Sequence, residues 1–468
     1  MAYKKKPMSG SAPFRSDERN PKAPSMVVGE DLEYRIARLL QFMGFFVRRG
    51  CPIYTVGVLD RATDLDVFAI KYIEPFSREL IIAECKSGDI GPLDRIFWLS
   101  GVRHFSKANR AMLVRKGTKW NIKDFAKECG VEILDLHRVT ELEATFRISG
   151  SEWPAQSDRG FFESSVPGWN DSLKRHPELW ELQITLSSEI RYDDPFPSIN
   201  FLLYQLRLLT RSWKTNSASS LHRYLLSEAI SQLSLFFMRL AEKTFDLSED
   251  DRTGYIEKGL KYGNVDPKFA ERMMNSAFNL TRQAILHYTK QVQDIDRKVF
   301  EVPLPPGTKE VLSIIELILH GYPRSLTLSQ ICDLLLFEVF VKENRNKGWL
   351  KRIYPQHDLG ARVDVVRDYL GLLAQSGACP PEIIQALSSP GLDNGKTVET
   401  HPHAADSAQA QITPRQLTLE NATSAQPSPS GPVAKPGDGS QSTSTPARPA
   451  EAVSVVESER LGETLKTL

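Results

Sequence analysis

Two acid-bearing stretches stand close together in the first fifth of the chain: "TDLDVFAI", Thr63 to Ile70, and "LIIAECKSG", Leu80 to Gly88. Side chains of an extended strand alternate between faces, so Glu84 and Lys86 project together, with Leu80 and Ile82 behind them. Asp64 and Asp66 share a face with Phe68 and Ile70 in the same way. If the two strands are neighbours, Asp66 lies beside Glu84 across the ladder. Two facing carboxylates repel unless a cation sits between them. A hard divalent cation such as Mg²⁺ meets that need, since it takes oxygen ligands and keeps several waters. The pattern does not fix the register: a slip of two residues would make Asp64 the ligand, and otherwise Asp64 stands at the strand entrance, behind the ligands or in solvent. Glu33 is a third acid, at the edge of the apolar stripe of the preceding helix, whereas Glu30 and Asp31 suit the helix start as partners of its dipole.

These residues need a framework. "EDLEYRIARLLQFM" places Leu32, Ile36, Leu39, Leu40 and Met43 at helical spacing, and Gly44 stops it. The runs "FFVRRG", "PIYTVGVLD", "DLDVFAIKY" and "ELIIAECKS" read as successive strands divided by turn signals. A helix over roughly residues 94–106, a strand in "RAMLVRKG", a short helix in "NIKDFAKECG" capped by Gly130 and a last strand in "VEILDL" complete an α/β unit over 29–142.

The helix with "GEDLE", an aspartate in a following strand and an "ExK" ending the next strand resemble the PD-(D/E)xK nuclease superfamily, most closely its Mrr-like restriction endonuclease and archaeal Holliday-junction resolvase branches. The resemblance covers about a quarter of the chain. It implies a restriction-endonuclease-like domain that hydrolyses DNA phosphodiester bonds, with restriction or phage defence as the setting. It assigns the strand aspartate to Asp66, the acid–x–lysine pair to Glu84 and Lys86, and the helix glutamate found in some members to Glu33. Mg²⁺, with Mn²⁺ as a substitute, would sit on Asp66 and Glu84 while Lys86 activates the attacking water, its own pKa lowered where it is desolvated. The other reading is a nuclease fold without chemistry, a DNA-binding or scaffold module.

Arg103, Lys107, Arg115 and Lys116 follow the acid–lysine pair and are the expected contacts to DNA phosphates. His104 beside them is a candidate general acid, although a histidine at a helix end more often partners backbone carbonyls. Over 157–389 apolar residues recur at three- and four-residue spacing, which predicts an all-α domain with its own core, filled by Trp213, Phe236, Phe237, Phe278 and Tyr288. Residues 1–28 read as a disordered basic arm. Residues 391–468, rich in Ser, Pro and Thr, read as a disordered tail in which "SVVESERLGETLKTL" is a candidate docking segment. A protein partner is expected on the helical domain or this tail. The net charge of +1 leaves any basic surface to be local, and five dispersed cysteines predict reduced thiols. With no run of about twenty apolar residues and no secretory leader pattern, the sequence predicts a cytoplasmic protein without a membrane segment.

Overall fold

The computed structural model describes residues 28–54, 61–86, 91–150, 152–189, 194–217, 219–263, 265–289, 302–344, 348–354 and 359–387. The basic arm up to residue 27 and the tail over 391–468 with its closing segment lie outside the described residues.

Helix α1 (Val28–Phe42) presents Leu32, Ile36, Ala37 and Leu40 to the sheet. It ends where Gly44 takes φ +83°, a left-handed conformation that lets Phe45 N–H reach the Leu40 carbonyl at 3.0 Å. Strands β1 (Phe46–Tyr54), β2 (Arg61–Ile73), β3 (Ser77–Lys86), β4 (Arg110–Arg115) and β5 (Val131–Asp135) form one mixed sheet in sequence order. The first three are antiparallel; β4 and β5 run parallel to β3. The parallel steps need crossovers, supplied by α2 (Pro92–Ser106) and α3 (Trp120–Glu128). Helix α4 (Leu136–Thr145) closes this part of the chain. The run "FFVRRG" and the start of "PIYTVGVLD", expected as separate strands, share one β1 as far as Tyr54: Gly50 at φ +59° lets the strand continue, with pairing resuming at Cys51↔Leu65, and residues 55–60 lie outside the described residues.

The sheet is covered on both faces. Val67, Ala69, Ile81, Ala83 and Cys85 pack under α1. Phe68, Ile70, Leu80, Ile82 and Leu113 face the other way, toward Ile96 and Leu99 of α2 and toward the helical region. That region holds α5 (Arg159–Arg175), α6 (Pro177–Glu189), α7 (Pro195–Asn216), α8 (Ser220–Thr244), α9 (Glu249–Tyr262), α10 (Pro267–Thr289), α11 (Thr308–His320), α12 (Leu328–Leu335), α13 (Gly348–Ile353), α14 (Leu359–Gln375) and α15 (Pro381–Leu387). α8 is buried along almost its whole length, which explains its weak amphipathic pattern.

The helical region does not keep its core to itself. One buried cluster runs from Phe46, Phe68 and Ile82 of the sheet to Leu225, Phe237 and Tyr369 of the helices, and all the described residues belong to one compact unit. Arg48 of β1 ties the two parts together: its guanidinium bonds Glu228 of α8 at 2.6 Å and Asp333 of α12 at 2.7 Å, with all three side chains buried. Trp213, Phe236 and Phe237 fill this core as expected and Phe278 is half-buried, but Tyr288 is 86% exposed near the end of α10. All five cysteines are free thiols. No described helix is long and apolar enough to cross a membrane.

Candidate active site

The register of β2 on β3 pairs Val67 with Ala83. Carried one residue further it sets Asp66 opposite Glu84, on the sheet face that α2 covers. Lys86 lies one pleat on from Glu84, and its Nζ is 2.8 Å from Oε1 of Glu84 and 3.2 Å from Oδ2 of Asp66. The backbone N–H of Cys85 donates to the same Oδ2 at 2.7 Å, fixing the Asp66 carboxylate against the strand end. Arg95, in the first turn of α2, brings its guanidinium within 3.5 Å of Oε1 of Glu84. Every contact here falls on Oδ2 of Asp66 and Oε1 of Glu84. Among the described residues Oδ1 and Oε2 accept no hydrogen bond.

The electrostatics follow from two acids sharing a half-closed space. Glu84 is only 3% exposed, and burial together with the neighbouring Asp66 raises its carboxyl above the usual range, against the opposing pull of Lys86 and Arg95. Burial works to lower Lys86, but its bonds to Glu84 and its attraction to Asp66 outweigh that and hold the ammonium above the ordinary lysine value. A desolvated Lys86 was expected to lose its proton more easily; the two flanking carboxylates reverse the sign. Burial likewise pushes the Cys85 thiol well up, reinforced by Asp66, Glu33 and Glu84.

The remaining sequence-derived residues fall in different places. Asp64 is not at the junction: it pairs with Arg61 at the entrance of β2. Glu33, half-buried on α1, stands 4.0 Å from the guanidinium of Arg49, which stacks on the Tyr34 ring. Arg103 is committed to structure. It donates to the carbonyls of Ala108, Asn109 and Gly130, and lies so close over Gly130 that a Cβ there would meet its Nη1 at 2.0 Å. His104 is an exposed residue whose carbonyl accepts from Lys107 N–H, and Lys107 occupies the left-handed cap position of α2. Arg115 is paired in register with Lys86 across the parallel β3–β4 ladder, so both reach the same carboxyl end of the sheet on the same face. Lys116 follows it, exposed.

Arg95 is the site residue that sequence reading did not single out. An arginine beside Asp94 in a first turn looks like surface charge. The available signal was distance along the chain: α2 begins at Pro92, six residues after Lys86, so its first turn has to lie near the end of β3.

No group of three His, Cys, Asp or Glu side chains able to hold a metal is present among the described residues. The donor set is two carboxylates, each with one oxygen uncommitted. That suits a magnesium-like ion, which keeps much of its water and uses one or two carboxylates together with substrate phosphate, and not an ion that needs a full protein cage. Compared with known proteins, the chain matches no family model, no curated protein and no solved structure.

Proposed function

We propose that this chain is a metal-dependent DNA endonuclease that hydrolyses phosphodiester bonds, with a PD-(D/E)xK-like domain at its sheet and restriction or phage defence as its setting. The observation that carries the reading is the pair of facing carboxylates, Asp66 and Glu84, joined through one lysine at the end of a buried strand. The elements behind the resemblance support it: a helix, an acid on β2 and an ExK closing β3 are all present in that order.

In this reading Asp66 and Glu84 would hold Mg²⁺, or Mn²⁺ in its place. The ion, when bound, lowers the pKa of its water and offsets charge on the scissile phosphate. With Glu84 and Asp66 beside it, the Lys86 ammonium is held above the ordinary lysine value. Its N–H donors orient the nucleophile and stabilise negative charge developing on the phosphate oxygens. Cys85 N–H keeps Asp66 turned toward the shared space, and Arg95 steadies Glu84 from the α2 side. The test is cleavage of supercoiled plasmid by the purified chain with Mg²⁺ and with EDTA. Nicking that needs the metal supports the reading, and nicking that is indifferent to EDTA contradicts it.

A further inference from the structure

The segment after β4 carries a feature that the metal site does not use. Trp120, the first residue of α3, is 76% exposed. Its ring makes no hydrogen bond, ring contact or cation contact among the described residues. Single exposed aliphatic side chains are ordinary, but an exposed indole leaves a large flat π-face in water. Lys116 and Lys119, in the turn just before it, are also exposed, and neither pairs with a carboxylate among the described residues. Lys123, one turn into α3, is bound to Asp135 of β5, which holds this end of the helix over the sheet. Asp135 is paired with Arg115, and Arg115 with Lys86. The turn with its two uncommitted lysines and the tryptophan therefore starts one residue beyond the strand position that neighbours Lys86.

Uncommitted cations beside an uncovered aromatic face form the combination that holds a nucleic-acid strand by its phosphates while a base stacks. A duplex would present its sugar–phosphate edge to such a rim, and an indole offers that edge little beyond a single N–H. Resting on the endonuclease reading, we infer that the DNA strand taken at this site is unpaired next to the reacting phosphate, with one base stacked on Trp120 and adjoining phosphates on Lys116 and Lys119.

The experiment is fluorescence anisotropy on the full chain carrying Lys86→Ala, in Mg²⁺, with a labelled single-stranded oligonucleotide and with the same sequence as a blunt duplex. Adding Trp120→Ala is expected to weaken single-strand binding by roughly tenfold while leaving duplex binding unchanged, because one stacked base contributes on the order of 1–3 kcal/mol. Trp120→Phe keeps a π-face and is expected to retain most of the affinity. An unchanged affinity in Trp120→Ala, an equal loss for both forms, or no single-strand binding before that change would overturn the inference. The measurement reads binding alone. Plasmid cleavage that survives Lys86→Ala would remove the assignment of catalysis to the Lys86 site and leave these affinities to decide the stacking on their own.

Discussion

Two clusters on the same sheet face each set two carboxylates around one cation, and they end in opposite states. Around Arg48 the planar guanidinium meets Glu228 through Nε and both oxygens of Asp333 through its Nη atoms, and donates once more to the Val47 carbonyl. Gln232 adds a bond to Oε1 of Glu228 and Gln156 one to Oε2, at 2.6 Å and 3.1 Å. No carboxylate oxygen is left over, and the cluster is closed. Around Lys86 the cation is a compact ammonium that touches one oxygen of each acid. Asp66 and Glu84 each keep an oxygen, and the lysine is 27% exposed. The cation sets much of the difference: the arginine fork reaches three of the four carboxylate oxygens and Gln156 closes the fourth, whereas a point charge balances two acids and leaves acceptors for something else. The first cluster locks the sheet to the helices. The second has the form of a binding site.

The comparison is broken most forcefully at the lock. Arg48→Ala strands two buried carboxylates, so a stability loss of about 3–5 kcal/mol is expected in urea unfolding. A loss below about 1 kcal/mol would mean that the cluster relaxes and is no lock. A milder version sits at the α1–α4 contact, where Glu143 accepts from Arg35 and Arg38 at 2.7 Å each. Burial opposes ionisation of Glu143, but those bonds outweigh it and hold its carboxyl below the usual range. Its folded-state pKa is depressed, so its stabilisation is complete above the ordinary glutamate range and is lost as pH falls through the lowered value. Glu143→Gln is expected to cost about 2 kcal/mol at neutral pH, with the gap to wild type narrowing in acid.

At the open cluster the effects fall on ligands. Asp66→Asn is expected to weaken Mn²⁺ binding at least about tenfold in calorimetry, about 1.4 kcal/mol. The pH dependence carries a sign as well. Glu84 is raised, so it takes up a proton above the usual carboxylate range, and metal binding weakens as pH falls through that interval. Removing the Asp66 charge should move this fall to lower pH; an unmoved profile would mean that Asp66 does not act on Glu84. The smallest effect is expected from Glu33→Gln. Glu33 stands beside Arg49, so cleavage should change by no more than about threefold, under 1 kcal/mol.

Much of the sheet region was legible because its signals are local. Glycines and turn residues punctuate α1 through β5, and alternation within "DLDVFAI" and "LIIAECK" puts the acids and the lysine on one face before any pairing is known. Register was not legible, because Asp64 and Asp66 share a period of two and only the β2–β3 ladder chooses between them. Long-range charge matching was invisible for a different reason. Arg48 reads as half of an "RR" pair on a strand, and its partners lie 180 and 285 residues further on. The structural commitment of Arg103 was only partly legible: the carbonyls of Ala108 and Asn109 follow it closely in the chain, but that of Gly130 reaches it only when α3 packs beside α2. The shared core was hidden because a helix such as α8, buried all round, leaves no polar face to mark a boundary.

Whether the open cluster is catalytic is decided by comparing plasmid nicking by wild type and Lys86→Ala in Mg²⁺, with unfolding curves for both. The variant is expected to lose cleavage while its unfolding midpoint stays close to that of wild type. Metal-dependent cleavage that persists in a folded Lys86→Ala protein would contradict a catalytic role for the cluster.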